Sequence, residues 1–194
     1  MKRIVAIFLS VLLMLSLTAC KHGGGAEDGY KVDISYYLSA GQVKEAQFML
    51  GTSLESINKE MSKHTADEHS GDGHDDAIVF VEDYDYSFYS TAEFDYYYKN
   101  DKADKGISCI VGNADIYGFS VGQSGFYEVK TALELEKLNP ILSDAKAEEF
   151  FFLMVSLDDC KKLTCIKDNK ELVFYFENDI LIAGVLYNTD NWMI

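Results

Sequence analysis

Apolar residues recur along this chain in three patterns, and each pattern predicts a different kind of element. Residues 4–17 form an almost unbroken apolar run, which is shorter than the ~20 residues that a membrane-spanning helix needs. Residues 94–99 and 172–177 are rich in aromatic and apolar side chains, a composition typical of strands. Residues 54–61 and 126–133 carry apolar side chains at i, i+3 and i+7, which predicts two amphipathic helices.

The two strand-like segments are part of a longer internal similarity. Residues 97–101 (Tyr-Tyr-Lys-Asn-Asp) recur 78 positions later as residues 175–179 (Tyr-Phe-Glu-Asn-Asp). Gly106-Ile107 recurs at the same offset as Gly184-Val185. Asn and Asp tolerate left-handed backbone and bond to their own main chain in turns. Each copy therefore predicts a strand, an Asn-Asp turn and a second strand.

A shorter motif precedes each predicted helix. Phe-Met-Leu-Gly-Thr-Ser at residues 48–53 matches Phe-Ser-Val-Gly-Gln-Ser at residues 119–124, with an offset of 71. The serine that ends each motif stands where a hydroxyl would cap the helix that follows. We therefore expect two units, residues 30–118 and 119–194, and each has a helix followed by antiparallel strands.

The second unit has further elements after its first helix. Asn139-Pro140 predicts the end of that helix, and Ser143 predicts the start of a short second helix over residues 144–149. Residues 150–156 are apolar at both even and odd positions. Periodicity leaves them either as a buried strand or as the end of the second helix.

The motif Phe-x-[Leu/Val]-Gly-x-Ser, followed by a helix, aromatic strands and an Asn-Asp turn, resembles a known repeat. It is similar to the small-lipoprotein repeat of the SmpA/OmlA (BamE) family and to the tandem repeat of β-lactamase inhibitor protein (BLIP)-like architecture. The resemblance covers nearly all of the chain after residue 29 at the level of element order. It implies an α+β fold in which two tandem repeats form one curved sheet with helices packed on one face. It also implies binding to protein partners rather than catalysis.

Alternation along the two matched strands separates the predicted sheet into two faces. Positions 94, 96 and 98 and their counterparts 78 positions later are all apolar or aromatic, so this face is expected to pack on the helices. The opposite, solvent-side face carries Tyr97, Lys99, Tyr175 and Glu177, which form the candidate partner-binding surface because tyrosine is enriched at protein interfaces. The alternative is that Tyr97 and Tyr175 are cross-strand packing residues.

The N-terminal residues have the layout of an export signal. Lys2 and Arg3 precede the apolar run, and small residues lead to a cysteine in Leu17-Thr18-Ala19-Cys20. A charged start, a short apolar middle and a small-residue end describe a signal peptide, and this end resembles the bacterial lipobox. The resemblance implies a signal peptide over residues 1–19, and a Cys20 lipidated with diacylglycerol and palmitate-type chains on the extracytoplasmic side of the cell membrane or envelope. The alternative is an ordinary secretory signal with an incidental cysteine.

The net charge limits the kinds of partner that the exported part is expected to bind. The chain has 17 Lys and Arg against 32 Asp and Glu, a formal charge of -15, and loss of Lys2 and Arg3 with the signal peptide makes it -17. So negative a charge disfavours binding to nucleic acid, because that binding depends on cationic side chains. It also disfavours binding to an anionic membrane surface. The small polar residues 20–29 predict a flexible tether. The lipid is therefore expected to hold the protein to the membrane while the domain binds a protein or envelope ligand.

A histidine-rich segment is a second candidate site. His64, His69 and His74 recur at five-residue spacing among acids in residues 64–76, and imidazole and carboxylate groups bind Zn²⁺, Ni²⁺ or Cu²⁺. The spacing does not align two histidines on one helical face as i, i+4 would. The segment is either a metal site, which would make this a metal-binding lipoprotein, or a solvated insertion.

No pattern in the chain predicts catalysis. It has no Gly-x-Ser-x-Gly, His-Glu-x-x-His or phosphate-binding motif, so we expect a protein that is not an enzyme and needs no cofactor. With Cys20 lipidated, Cys109, Cys160 and Cys165 remain, an odd number that cannot all pair. Cys160 and Cys165 either form a disulfide across a bend or stay as thiols.

Overall fold

An antiparallel sheet of eight strands organises the protein. The computed structural model describes residues 33–67, 79–82, 85–146, 157 and 159–192, all within one compact unit. The helices are α1 (Ile34–Ala40), α2 (Leu54–Asp67), α3 (Phe126–Leu135) and the 3₁₀ helix η1 (Asn100–Lys105). The strands are β1 (Val79–Glu82), β2 (Tyr86–Ser90), β3 (Phe94–Lys99), β4 (Cys109–Gly112), β5 (Asp115–Ile116), β6 (Phe119–Ser120), β7 (Ile141–Asp144), β8 (Lys161–Lys167), β9 (Lys170–Glu177) and β10 (Ile180–Asn188).

The strand order of the large sheet is β1-β2-β3-β4-β10-β9-β8-β7, and every neighbouring pair is antiparallel. Each half is a meander, and the last strands of the two halves, β4 and β10, meet in the middle. Their register places Val111 opposite Val185 and Gly112 opposite Gly184. β5 and β6 pair separately as a two-stranded ribbon. The fold is α+β with a large antiparallel sheet, as the sequence predicts.

The first face of the sheet packs against the helices, and period-two alternation predicts its members. Its hydrophobic cluster contains every second residue of β3 and β9, namely Phe94, Tyr96, Tyr98, Leu172, Phe174 and Phe176. Phe126, Val129 and Leu133 of α3 are buried in the same cluster, which confirms the apolar stripe of this helix. Of the stripe predicted for α2, Ile57 is buried and Leu54 is partly buried, and the side chain of Met61 lies outside the described residues. Each large apolar side chain buried here contributes about 1.5–3 kcal/mol, which holds the sheet and helices together.

The phenylalanine that opens each Phe-x-[Leu/Val]-Gly-x-Ser motif packs edge-on against an aromatic ring of the sheet. Phe48 meets Tyr96 with ring centroids 5.1 Å apart and ring planes at 75°. Phe119 meets Phe174 at 5.7 Å and 88°. Both contacts are T-shaped, an arrangement that the aromatic quadrupole favours. The two sheet rings lie 78 positions apart in the sequence, as the matched strands do.

The glycine of each motif makes the same kind of backbone contact. Gly51 and Gly122 have φ angles of 82° and 79°, a left-handed backbone that glycine adopts without strain. The N–H of Gly51 donates to the carbonyl of Ile107 at 2.7 Å, and the N–H of Gly122 donates to the carbonyl of Leu181 at 2.7 Å. Each motif is thereby tied to the chain where β4 or β10 begins.

The predicted Asn-Asp turn is confirmed in the second copy but not in the first. Asn178 and Asp179 have φ of 50° and 64° and join β9 to β10 as a two-residue hairpin, the connection that favours these residues. Asn100 instead opens η1, so the tight turn predicted there is wrong. Ile107 and Leu181, which accept the equivalent bonds from the two motif glycines, lie 74 positions apart, whereas matched residues of β3 and β9 lie 78 positions apart. The connection with η1 is therefore four residues longer than the connection in the second copy.

The longer connection also changes which glycines correspond. Gly106 lies in the loop after η1 with φ of 69°, and a Cβ there would clash with the carbonyl oxygen of Thr52. Gly184 lies within β10 beneath Ile116, opposite Gly112 of β4. The predicted correspondence of Gly106 with Gly184 is therefore wrong.

Serine caps the first of the two motif helices only. Ser53 precedes α2, and its Oγ accepts from the N–H of Ser56 at 3.2 Å, which confirms its capping role. Ser124 does not cap α3, because Gly125 is the N-cap residue and the Ser124 Oγ accepts a backbone N–H of the preceding turn at 3.1 Å. Glu128 satisfies the start of α3 instead, by accepting from the Gly125 N–H at 3.2 Å.

The segment after α3 is a strand where the sequence predicts a helix. α3 ends at Leu135, before Asn139-Pro140, and residues 141–144 form β7 in antiparallel pairing with β8. The helix start predicted at Ser143 is wrong, because pairing with β8 decides the conformation of a short stretch that local pattern leaves ambiguous. Residues 147–156, which include the apolar run, lie outside the described residues.

Candidate binding surfaces

The second face of the sheet, opposite the helices, carries Tyr97 and Tyr175. Both belong to a second hydrophobic cluster, which confirms that they point away from the helix-side cluster. Their exposed fractions are 3% and 0%, so the prediction that they lie on a solvent-side face is wrong. Leu157 and Trp192, from outside the two strands, are buried in the same cluster. Segments distant in sequence therefore help to bury a face that alternation alone leaves open.

Four aromatic rings meet on this face, and we call them the aromatic group: Tyr86, Phe88, Tyr97 and Trp192. Phe88 stacks on Tyr97 with centroids 4.7 Å apart and planes at 27°. Trp192 lies 6.1 Å from Tyr97 and 6.4 Å from Tyr86. Tyr86 and Phe88 are half-buried, so the second cluster reaches solvent here. The sequence does not predict that Trp192 belongs to this face, because a single tryptophan outside a periodic segment carries no signal of the side on which it packs.

Lys99 and Glu177, predicted to share a surface, occupy different surroundings. Lys99 ends β3, and its Nζ lies 5.9 Å from the centroid of the Trp192 ring, a cation–π geometry. Glu177 ends β9 and is exposed. Because β4 and β10 separate β3 from β9, the two strands lie about 14 Å apart at ~4.8 Å per step. The structure brings Tyr97 and Lys99 together and keeps Tyr175 and Glu177 apart from them.

Burial strengthens the preference of the tyrosine at the centre of the aromatic group for its neutral form. It raises the pKa of Tyr97 far above its ordinary value, and the charge of Asp95 raises it further. Asn113 Nδ2 donates to the Asp95 Oδ2 at 3.0 Å, whereas the Oδ1 is buried with no hydrogen-bond partner among the described residues. Tyr97 is therefore neutral at physiological pH, and it supplies a ring and a hydroxyl but no charge.

The cysteines after Cys20 are buried thiols. Cys165 belongs to the helix-side cluster and Cys160 to the second cluster, so the two face opposite sides of the sheet and do not bridge. Burial raises the pKa of Cys165 to about 12 and that of Cys109 well above its ordinary value. Because the thiolate is the reactive form, these two side chains are poor nucleophiles.

The remaining sequence-predicted sites lie outside the described residues. Cys20 precedes them, and His69 and His74 fall within residues 68–78. His64 lies on α2, but its side chain is among those left undescribed. Over the described part of the chain, no three His, Cys, Asp or Glu side chains are placed to hold a metal ion. No helix in that part is long and apolar enough to span a bilayer.

The sheet edge formed by β7 is a further surface, which the sequence pattern does not predict. All four residues of this strand are exposed, including Ile141 at 58% and Leu142 at 53%. Ile166 of the neighbouring β8 is 57% exposed. The available signal was the apolar pair after Pro140, which local pattern does not separate from a helix start. Exposed apolar residues on an edge strand are typical of a contact with another strand.

Comparison of the chain with known protein families, curated proteins and solved structures gives no match. The resemblance to the SmpA/OmlA (BamE) and BLIP-like repeats therefore stays a prediction.

Proposed function

We propose that this protein is an extracytoplasmic lipoprotein, anchored to the cell membrane or envelope through a lipid on Cys20, that binds a protein or envelope partner without catalysis. The anchoring part rests on one observation, the sequence Leu17-Thr18-Ala19-Cys20 after two cations and a short apolar run. Diacylation supplies the two chains that stable anchoring requires.

The proposal includes an origin of the domain in two tandem repeats, residues 30–118 and 119–194, whose strands form one curved sheet. The strand order supports it, because each half runs inward from its own edge. The matched T-shaped contacts of the motif phenylalanines support it further. The matched glycines are the most specific support, because they share a left-handed φ and an equivalent backbone acceptor, not only a residue type.

The aromatic group supports binding through the second face. Tyr86 and Phe88 reach solvent beside the buried rings of Tyr97 and Trp192. Aromatic side chains are enriched at protein interfaces because they bury a large area at low entropic cost. Tyr97 acts in this proposal as a support beneath Phe88, and Lys99 adds a cation at the border of the group.

Tyr175 and Glu177 take separate roles in the proposed surface. Tyr175 is fully buried and supports the second face from β9. The carboxylate of Glu177, which is exposed at the end of β9, is the proposed acidic contact. A partner that reaches both Lys99 and Glu177 has to extend across β4 and β10.

Anchoring is tested by the full chain with Cys20→Ser. We expect the parent to enter the detergent phase on phase separation and the variant to stay in the aqueous phase or remain unprocessed. Ala19→Gly, which keeps a small residue before the cysteine, is the matched control and should behave as the parent does. Detergent partition of Cys20→Ser equal to the parent would show that another segment holds the protein.

Binding is tested by capture of envelope components on the full chain. A component retained by the parent should be lost with Phe88→Ala and weakened with Lys99→Ala. The matched control is Tyr127→Ala, because Tyr127 is a 74% exposed aromatic residue on α3, which packs on the other side of the sheet. Equal retention by Phe88→Ala and Tyr127→Ala would remove the aromatic group as the binding surface.

A further inference from the structure

The two edges of the large sheet form a further surface, which is independent of the lipid and of the aromatic group. Among the described residues, β1 and β7 are the outermost strands, and each pairs within the sheet with one neighbour, β2 or β8. The outer side of an edge strand presents backbone N–H and C=O groups to which another strand can bind.

The hydrogen bonds between β7 and β8 identify which backbone groups of β7 point to the open side of the strand. The N–H of Ala145 donates to the carbonyl of Cys160 at 2.8 Å, and this pair continues the β7–β8 register. Because inward and outward groups alternate along an antiparallel strand, Leu142 and Asp144 direct their N–H and C=O groups to the open edge. Pro140 has no N–H and ends this row on one side.

Side chains leave the β7 edge open to an added strand. Many natural edge strands are protected by charges, bulges or a covering element. β7 is itself short, follows Pro140 and carries the charge of Asp144. It nevertheless exposes Ile141 and Leu142, at 58% and 53%, on opposite faces. An added strand would cover apolar surface on both faces in addition to pairing with the backbone.

The two edges also carry opposite charge. Residues 141–146 and 161–167 contain four cations and one acid, a formal charge of +3 within a chain of -15: Lys146, Lys161, Lys162, Lys167 and Asp144. Lys161 pairs with Asp179 at 3.2 Å, so the excess that stays unpaired by this bridge is +2. Residues 79–90, which include β1 and β2, contain three acids and no cation, a formal charge of -3: Glu82, Asp83 and Asp85. Of these, Asp83 lies outside the described residues. If the two edges are in contact, their charges lie within the ~10 Å screening length of 0.1 M salt and attract each other, whereas charges farther apart are largely screened.

The strand directions permit the two edges to meet. Neighbouring strands alternate in direction through all eight positions, so β1 and β7 run in opposite directions. A second copy placed beside the first by translation along the sheet therefore brings its β1 antiparallel to β7, with both helix-bearing faces on the same side. Pairing of two β7 edges or two β1 edges would instead bring like charges together.

We propose that a second copy of this chain adds its β1 to the open edge of β7, so that copies join edge to edge as one continuing sheet. The contact is heterologous, which leaves an unused β1 and an unused β7 at the ends and permits a row or a closed ring. Both strands are short, at four residues each, so the contact is weak and reversible and needs to be trapped.

The test uses full-length chains purified in mild detergent and a bismaleimide cross-linker with a spacer. One preparation carries Glu82→Cys and another carries Leu142→Cys. The parent chain, whose Cys109, Cys160 and Cys165 are buried, measures the background. We expect a cross-linked dimer when the two preparations are mixed, and background alone for each preparation by itself. A chain with both substitutions should give a ladder of higher species.

Leu142→Pro separates pairing from folding. It removes the outward N–H of residue 142, while the bonds of Ser143 to β8 stay. In this test Ile141→Cys supplies the cysteine on β7, because position 142 is occupied by proline. A mixture of Glu82→Cys with Ile141→Cys should give the cross-linked dimer, whereas a mixture of Glu82→Cys with the double variant Leu142→Pro/Ile141→Cys should not. Circular dichroism checks that each variant is folded. Cross-linking of Leu142→Cys by itself would mean two-fold pairing of β7 edges and overturn the proposal. A mixture of folded variants that stays at background would overturn it as well.

Discussion

The two halves of the sheet place their residues alike but connect their inner strands differently. In β3 and in β9, every second residue joins the helix-side cluster, and a motif phenylalanine packs T-shaped against it. Residues 100–108, with η1, link β3 to β4, whereas residues 178–179 alone link β9 to β10. The facing of a strand follows from alternation within that strand. The length of the connection differs through η1, whose residues are exposed or half-buried, because inserted residues are tolerated at the surface.

The halves also differ in what covers their second face and in the charge of their outer strands. Trp192 and the half-buried Tyr86 and Phe88 surround Tyr97 in the first half, while Tyr175 in the second half is completely buried. The first half ends in an acidic edge and the second in a cationic one. Similar strands thus have different surroundings, and the following experiments test where the similarity ends.

The largest effects are expected from the buried rings of β9. Phe174→Ala and Tyr175→Ala should each lower the free energy of unfolding by ~3–5 kcal/mol, although the two side chains lie on opposite faces. Urea unfolding followed by circular dichroism measures both, with Tyr127→Ala as an exposed control that should stay within ~0.5 kcal/mol of the parent. A Tyr175→Ala cost close to that of the control would mean that the second face is not packed.

The next effect tests the connection that only the first half has. Gly122→Ala should cost ~1–2 kcal/mol, because an alanine is strained at a left-handed φ while the space around it is open. Gly106 has a φ of 69° with a ψ of -153°, a combination found essentially only in glycine, and an alanine there would in addition clash with the backbone of Thr52, so the cost of Gly106→Ala should be greater by roughly 1–3 kcal/mol. Thermal unfolding of the two variants gives the comparison, and equal costs would contradict the close approach of η1 to the motif.

Alkaline pH should weaken the second half through Cys165. Burial raises its pKa to about 12, so the folded state holds the proton more tightly than the unfolded state does. The stability that this gives is complete below the ordinary thiol pKa near 9 and is lost as the pH rises from about 9 towards 12. We therefore expect the stability difference between the parent and Cys165→Ala to narrow over this range in urea unfolding. A constant difference from pH 8 to pH 11 would show that the thiol is not buried.

A smaller effect distinguishes the charged residues that end β3 and β9. Lys99→Met should cost ~0.5–1 kcal/mol, because it removes the cation beside the Trp192 ring. Glu177→Gln should change stability by less than ~0.5 kcal/mol, because Glu177 is exposed. Tryptophan fluorescence reports the first contact directly, since the chain has one tryptophan. An unchanged emission spectrum in Lys99→Met would argue against the contact.

The smallest expected effect concerns the histidine-rich segment, which has no counterpart in the second half. We expect no tight Zn²⁺ or Ni²⁺ binding by the tag-free chain in calorimetry, because the five-residue spacing of the histidines does not align two of them on one helical face. His69→Ala should then give the same trace as the parent. Binding heat that is lost in His69→Ala would instead establish the metal-binding alternative.

The sequence by itself determined the features that depend on neighbours along the chain. Spacing placed Val129 and Leu133 on the buried stripe of α3, and alternation separated Phe174 from Tyr175. Asn178-Asp179 specified a hairpin turn because both residues tolerate a left-handed backbone. Export and the lipidated cysteine are predictions of the same local kind, which experiments on Cys20 have still to test.

Only the tertiary structure decided which predicted surfaces are covered and which segments come together. Alternation identifies residues that share a face, but it carries no information about segments that pack on that face, so Tyr175 was expected in solvent and is buried. Pairing with β8 made residues 141–144 a strand, and the order of strands kept Tyr97 and Tyr175 on opposite sides of β4 and β10. These outcomes depend on contacts between residues far apart in the chain, and local periodicity does not encode such contacts.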